Sequence, residues 1–211
     1  MKGVTASHWK SLEHWSPTLF LAAGVLFVGH AAVRGIEAFT TVPTPVDVFG
    51  PSGYVVAILA ILGLYPPLAA RTPRIARVAA GIAALTAPAW ALISGWNFGE
   101  AAGLLPPQSD VLPGVFFGVV IVATLLLYLL FGVASLRSGI HTRTFSILLL
   151  APVTLFLLLI VGSVLLPLNA AAGGVVIGGG MAIAHGAIGA TLLTGNTQTA
   201  HVAPSSDASV D

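Results

Sequence analysis

Six apolar stretches, each about the length a helix needs to cross the hydrocarbon core of a bilayer, constrain this chain more than any other feature. They are Pro17–Thr40, Gly53–Ala70, Ile75–Trp96, Pro113–Leu136, Thr144–Leu168 and Gly174–Thr194. In hydrocarbon every backbone N–H and C=O must find a partner within the protein, so such segments fold as helices. Only 7% of the 211 residues are charged. A soluble domain carries about 25%, and so few charges cannot clothe a water-soluble surface. The expected fold is therefore all-α: a polytopic membrane bundle of six transmembrane helices. Residues 1–16 read as a polar lead-in that can form a short interfacial helix. Residues 17–194 read as the bundle, and 195–211, rich in Asn, Thr, Ser and Asp, as a disordered tail.

The charges give the direction of threading. Arg71, Arg74 and Arg77 fall in the second loop, Arg137 and Arg143 in the fourth, and Lys2 and Lys10 precede the first span. The loops on the opposite side carry only Asp47, Glu100 and Asp110. Basic residues collect on the cytoplasmic side, so both termini are expected inside, in a multi-pass protein of the plasma membrane. The first apolar stretch outruns the h-region of a signal peptide and reads as a retained helix. In the second, Pro66-Pro67 marks a stop or a kink near the end. The absence of cysteine excludes disulfides, thiolate metal sites, iron–sulfur clusters and a cysteine nucleophile. A net charge of +1 gives no basic surface for nucleic acid. The expected partners are the lipid bilayer and a membrane protein or a second copy of the chain.

Ionisable residues inside a span are costly unless they face the bundle or water. His30, Arg34 and Glu37 in the first span share one helical face. Arg34 and Glu37 are expected to pair. Asn97 and Glu100 follow the third span on the same side and are the next residues expected to reach this cluster. The sixth span carries Gly174, Gly178, Ala182, Gly186 and Ala190 at every fourth position. That ridge of small side chains is expected to pack closely against another helix. The leucine runs Leu125–Leu130 and Leu155–Ile160 are expected to face lipid or a second copy.

His185 lies near the middle of the sixth span, and by length its depth falls within about 5 Å of His30. Two histidines at equal depth could hold a b-type haem or share a proton. The plainer expectation is that each bonds a backbone or hydroxyl group nearby, with no cofactor and no metal. Gly50-Pro51-Ser52-Gly53 and His185 look like pieces of the serine–histidine dyad of rhomboid intramembrane proteases, which also have a six-helix core. In that family the serine starts the fourth core helix, whereas Ser52 starts the second. Ser52 also stands near the outer surface, above His185, and otherwise reads as part of a turn capping that helix. No P-loop, HExxH or GxSxG motif is present, and no catalytic residue is assigned.

Leu12-Glu13-His14-Trp15-Ser16-Pro17, Asp47-Val48-Phe49-Gly50-Pro51 and Leu62-Gly63-Leu64-Tyr65-Pro66 together resemble small multi-span membrane proteins of halophilic archaea, best over the first third of the chain. The resemblance implies a plasma-membrane location and no particular activity. The leading expectation is a non-enzymatic membrane subunit or structural component. Its competitors are a small-solute or proton-coupled transporter using His30, Arg34 and Glu37, a b-haem electron carrier through His30 and His185, and a protease through Ser52 and His185. A polar cavity open to one side would favour transport.

Overall fold

A computed structural model describes residues 2–42, 44–165 and 170–200. Among them are seven α-helices and no strand: α1 (Lys2–Phe39), α2 (Phe49–Leu62), α3 (Tyr65–Arg71), α4 (Pro73–Ala101), α5 (Gly114–Ser138), α6 (Arg143–Leu165) and α7 (Ala170–Ala200). One 3₁₀ turn, Gln108–Asp110, interrupts the loop before α5. Five helices are long and apolar enough to cross a membrane, and the bent pair α2–α3 makes a sixth span if counted as one. The chain is a membrane helix bundle.

The N-terminal lead-in is helical and continuous with the first span, through Pro17. Ser16, beside that proline, is buried and donates its hydroxyl to the Ala60 carbonyl of α2 at 2.8 Å. At the other end, α7 continues to Ala200, into the segment expected to be a tail, and residues 201–211 lie outside those described. So do residues 166–168, the end of the fifth expected span.

The second span breaks where its prolines demand it. Pro66 and Pro67 both lack an N–H for the carbonyls one turn earlier, and they stand in the first turn of α3, where no such donor is needed, so the ladder of α2 stops before them. The α2 ladder closes with Gly63 and Leu64 donating to Ala60 and Ile61 three residues back. The chain then restarts as α3, bent by 45°. α5 ends differently, on Gly139 at φ +63°, a left-handed position that costs other residues a clash of Cβ with the backbone.

The main helix contacts run α7–α1–α2–α4–α5–α6 and back to α7, closing a ring of six. Each member turns a stripe at heptad-like spacing inward. On α1 it is Phe20, Ala23 and Phe27, and on α4 Ala76, Ala79, Ala83, Thr86, Trp90 and Ile93. On α5 it is Val120, Thr124, Leu127, Phe131 and Ala134, and on α7 Ile177, Met181, Ala184 and Ile188. A 3.5-residue repeat is the signature of left-handed, shallow-angle packing, the common geometry of membrane bundles.

The ridge on α7 holds in part. A methyl at Gly178 would lie 2.9 Å from the main-chain nitrogen of Ala31, and one at Gly24 3.2 Å from the Ala182 carbonyl oxygen, so α1 and α7 meet backbone to backbone. Gly174 takes the stem of Arg34, and Gly173 and Gly180 take Leu159 and Leu155 of α6. The far end departs from the expectation. Gly186 still meets α1 through its main chain, its nitrogen 3.3 Å from where a methyl at Gly24 would lie, although a methyl on Gly186 itself would meet nothing within 4 Å. Ala190 is exposed, and Gly189 packs against Leu21 and the Pro17 carbonyl. A strict four-residue repeat drifts about 40° per step around a helix of 3.6 residues per turn. By residue 190 the ridge has left the face, whereas Gly189, eleven residues after Gly178, has returned to it. The leucine runs are corrected for the same reason. Leu126, Leu157, Leu158 and Ile160 are exposed, but Leu127 and Tyr128 are fully buried, because a six-residue run winds right round the helix.

Candidate functional site

Three glycines and one helix start assemble the polar end of the ring. His30 and Arg34 continue the inward stripe of α1 past Phe27, at spacings of three and four. Gly178 on α7 and Gly50 on α2 leave room for the imidazole, since a methyl at either would lie under 3 Å from the His30 ring. Gly174 leaves room for the Arg34 stem. Asp47 stands just before α2. Its Oδ1 accepts the N–H groups of Phe49 and Gly50 at 3.2 and 3.1 Å, satisfying two donors that a helix start leaves free. Its Oδ2 faces His30 Nδ1 at 2.5 Å and Arg34 Nη2 at 3.6 Å.

Arg34 also donates through Nη1 to Glu37 Oε2 at 2.7 Å. Glu37 is exposed at the rim, so of the expected face His30 and Arg34 point inward and Glu37 points to the mouth. Asn97 does reach the cluster. Its Nδ2 donates to the Asp47 carbonyl at 2.7 Å. Glu100 Oε2 accepts the main-chain N–H of Gln108 at 2.9 Å, tying the 3₁₀ turn to α4. Burial acts to raise the Asp47 pKa, but the His30 hydrogen bond and charge, the Gly50 amide and the Arg34 charge outweigh it, and the carboxyl sits below the usual aspartate range.

These residues roof a chamber of about 530 Å³ inside the ring. His30, Arg34, Asp47, Asn97 and Gln108 form its polar end, and Tyr54, Trp90, Phe117, Phe156 and Ile177 its apolar walls. A second cavity of about 550 Å³ shares Arg34, Asp47, Asn97 and Gln108 and reaches the exposed Glu37, Thr44, Pro45 and Ser109. The two cavities adjoin at these four shared side chains, and the second lies on the outer, mouth side of the first.

The floor is a layer of rings. Tyr54 stacks on Trp90 at 4.3 Å between centroids, 16° from parallel. Trp90 Nε1 donates to Thr124 at 2.9 Å. Below, Tyr128 of α5 bonds His185 Nε2 of α7 across the ring at 2.6 Å, with Phe20 and Phe27 against the imidazole. The gap between Tyr54, Thr124, Tyr128 and Met181 has no room for a water molecule.

The structure does not bring His30 to His185. Opposite His30 on α7 stands Gly178, seven residues before His185, so the two imidazoles differ in depth by about 10 Å rather than agreeing. His185 Nδ1 bonds the Met181 carbonyl at 2.7 Å and Nε2 the Tyr128 hydroxyl, so both nitrogens are engaged within the protein. This packing offers no haem-ligating pair from the two. Nor does Ser52 meet His185. Its hydroxyl donates to the Val48 carbonyl at 2.6 Å and lies 2.7 Å from the Ser94 hydroxyl, a helix-to-helix bond between α2 and α4. Among the described residues no group of three or more His, Asp or Glu gathers as a metal site would.

Sequence reasoning missed Asp47, the hub, along with Gln108 and the ring layer of Tyr54, Trp90 and Tyr128. The heptad stripe was the available signal. On α4 it runs Thr86, Trp90, Ile93, Asn97 and Glu100 without a break, passing from apolar to polar at the end where His30 and Arg34 do the same. No protein-family model, curated protein or solved structure matches the chain.

Proposed function

We propose that this chain is a carrier-type membrane protein that admits a small molecule to a vestibule. The observation that carries the reading is the 530 Å³ chamber, polar at its mouth and aromatic at its base, within the size range of small-molecule sites. A purely structural subunit has no use for a chamber at the centre of its ring. The Tyr54–Trp90 stack and the Tyr128–His185 bridge form the closed layer that a transport cycle would have to open. The arginine loops lie at the opposite end from Asp47, which supports a vestibule facing outward with both termini in the cytoplasm. The resemblance to membrane proteins of halophilic archaea supports the plasma membrane as its location.

The test is uptake of radiolabelled small solutes, neutral and charged, into proteoliposomes. The wild type should accumulate a subset. Ile177→Trp, which places an indole in the chamber and leaves the charged residues in the sequence, should abolish that uptake. Wild-type vesicles that match protein-free vesicles across the panel would return the protein to a structural role.

A further inference from the structure

At the chamber and its mouth Asp47 pairs with His30 and Arg34, Arg34 pairs with Glu37, and the Glu100 carboxylate accepts the Gln108 main-chain N–H. Two neutral groups are left over. Asn97 is 7% exposed, and its Nδ2 donates to the Asp47 carbonyl. That carbonyl can only accept, so the amide's orientation is fixed and Oδ1 is the atom left. Among the described residues, Asn97 Oδ1 is a buried acceptor without a hydrogen-bond partner, and Gln108 Nε2 is a buried donor without one. Both residues line the chamber and its mouth. Buried polar groups of native proteins are nearly always satisfied, so an acceptor and a donor left together at one cavity point to something that enters it.

We propose that the chamber binds an uncharged amphiphile bearing a hydroxyl group. The hydroxyl donates to Asn97 Oδ1 and accepts from Gln108 Nε2, and its apolar body lies on Tyr54, Trp90, Phe117 and Phe156. The inference rests on the vestibule reading above and narrows it. A carboxylate has no proton for Asn97 Oδ1 and would meet the Asp47 and Glu37 carboxylates. An ammonium has no lone pair for Gln108 Nε2 and would meet Arg34. A hydroxyl supplies both halves of the pair and disturbs none of the ion pairs.

The full chain in lipid nanodiscs is photolabelled with octanol carrying a diazirine, and in parallel with the matching octanoate and octylammonium. The alcohol should leave adducts on peptides holding Tyr54, Trp90, Phe117 or Phe156, and excess plain octanol should displace them. Ile177→Trp should remove them. Asn97→Leu should weaken labelling about five-fold, the loss expected for one hydrogen bond. Because Asn97→Leu also frees the Asp47 carbonyl, Gln108→Leu provides a second variant that keeps the main-chain bond to Glu100, and it should weaken labelling to a similar degree. Equal labelling by the octanoate or the octylammonium, or alcohol labelling indifferent to both leucine variants, would overturn the ligand class and leave the vestibule standing. Labelling of the chamber by none of the three would overturn the vestibule itself.

Discussion

Asp47 and Glu37 each carry a carboxylate bonded to α1, and they should respond differently to losing it. The Asp47 side chain is 9% exposed and joins α1 to the start of α2, whereas Glu37 is 39% exposed and bonds only one turn along its own helix. Asp47→Asn should lower stability by about 1.5–3 kcal/mol, the usual worth of a hydrogen bond to a charged group, read as a lower midpoint of thermal unfolding in detergent. Glu37→Gln should leave that midpoint nearly unchanged, since exposed ion pairs contribute little. The pH dependence follows from the depressed pKa of Asp47. Its contribution is fully present above the unfolded value of about 3.8 and is lost as pH falls through the lower folded value. The wild-type midpoint should therefore decline in acid more steeply than that of Asp47→Asn. The spacing of His30, Arg34 and Glu37 was legible in the sequence because it lies on one helix. Asp47 was not, because it reaches His30 through a loop, and no periodicity runs through a loop.

Helix packing has its own grammar, and glycine is where it can be tested. Gly24 and Gly178 face main-chain atoms of the opposite helix, which cannot swing aside as a side chain can. Gly24→Leu and Gly178→Leu should each cost about 1–3 kcal/mol by overpacking. Gly186→Ala should be tolerated, because the added methyl meets nothing. Thermal unfolding of the three variants in one detergent checks the order, and a destabilised Gly186→Ala beside an unaffected Gly178→Leu would mean a different α1–α7 register. The sequence showed that α7 carries a packing face. It did not show which turn the face leaves, because a four-residue repeat and a 3.6-residue helix agree only over short distances. The bend between α2 and α3 was legible within a few residues, since proline acts through its own missing N–H.

At the scale of the whole molecule, apolar length alone made the bundle legible. It could not give the ring, because lipid-facing and ring-facing leucines are the same residue, and in hydrocarbon no hydrophobic force sorts them. What distinguishes the two faces is the polar and aromatic content of the inward stripe, and that content also makes the chamber. Ser109 lies at the Asp47 end and Ser138 at the arginine end. Ser109→Cys in this cysteine-free chain should react with a membrane-impermeant thiol reagent from outside intact cells, and Ser138→Cys only after permeabilisation. The reverse pattern would invert the orientation. A water-accessible vestibule that stops at the ring layer should be readable with single cysteines one turn apart on α7. Ile177 lines the chamber, whereas Met181 is fully buried beneath it. Ile177→Cys should be modified from outside by a small methanethiosulfonate reagent, and Met181→Cys should resist it. Equal reactivity at both positions, or none at either, would contradict the vestibule.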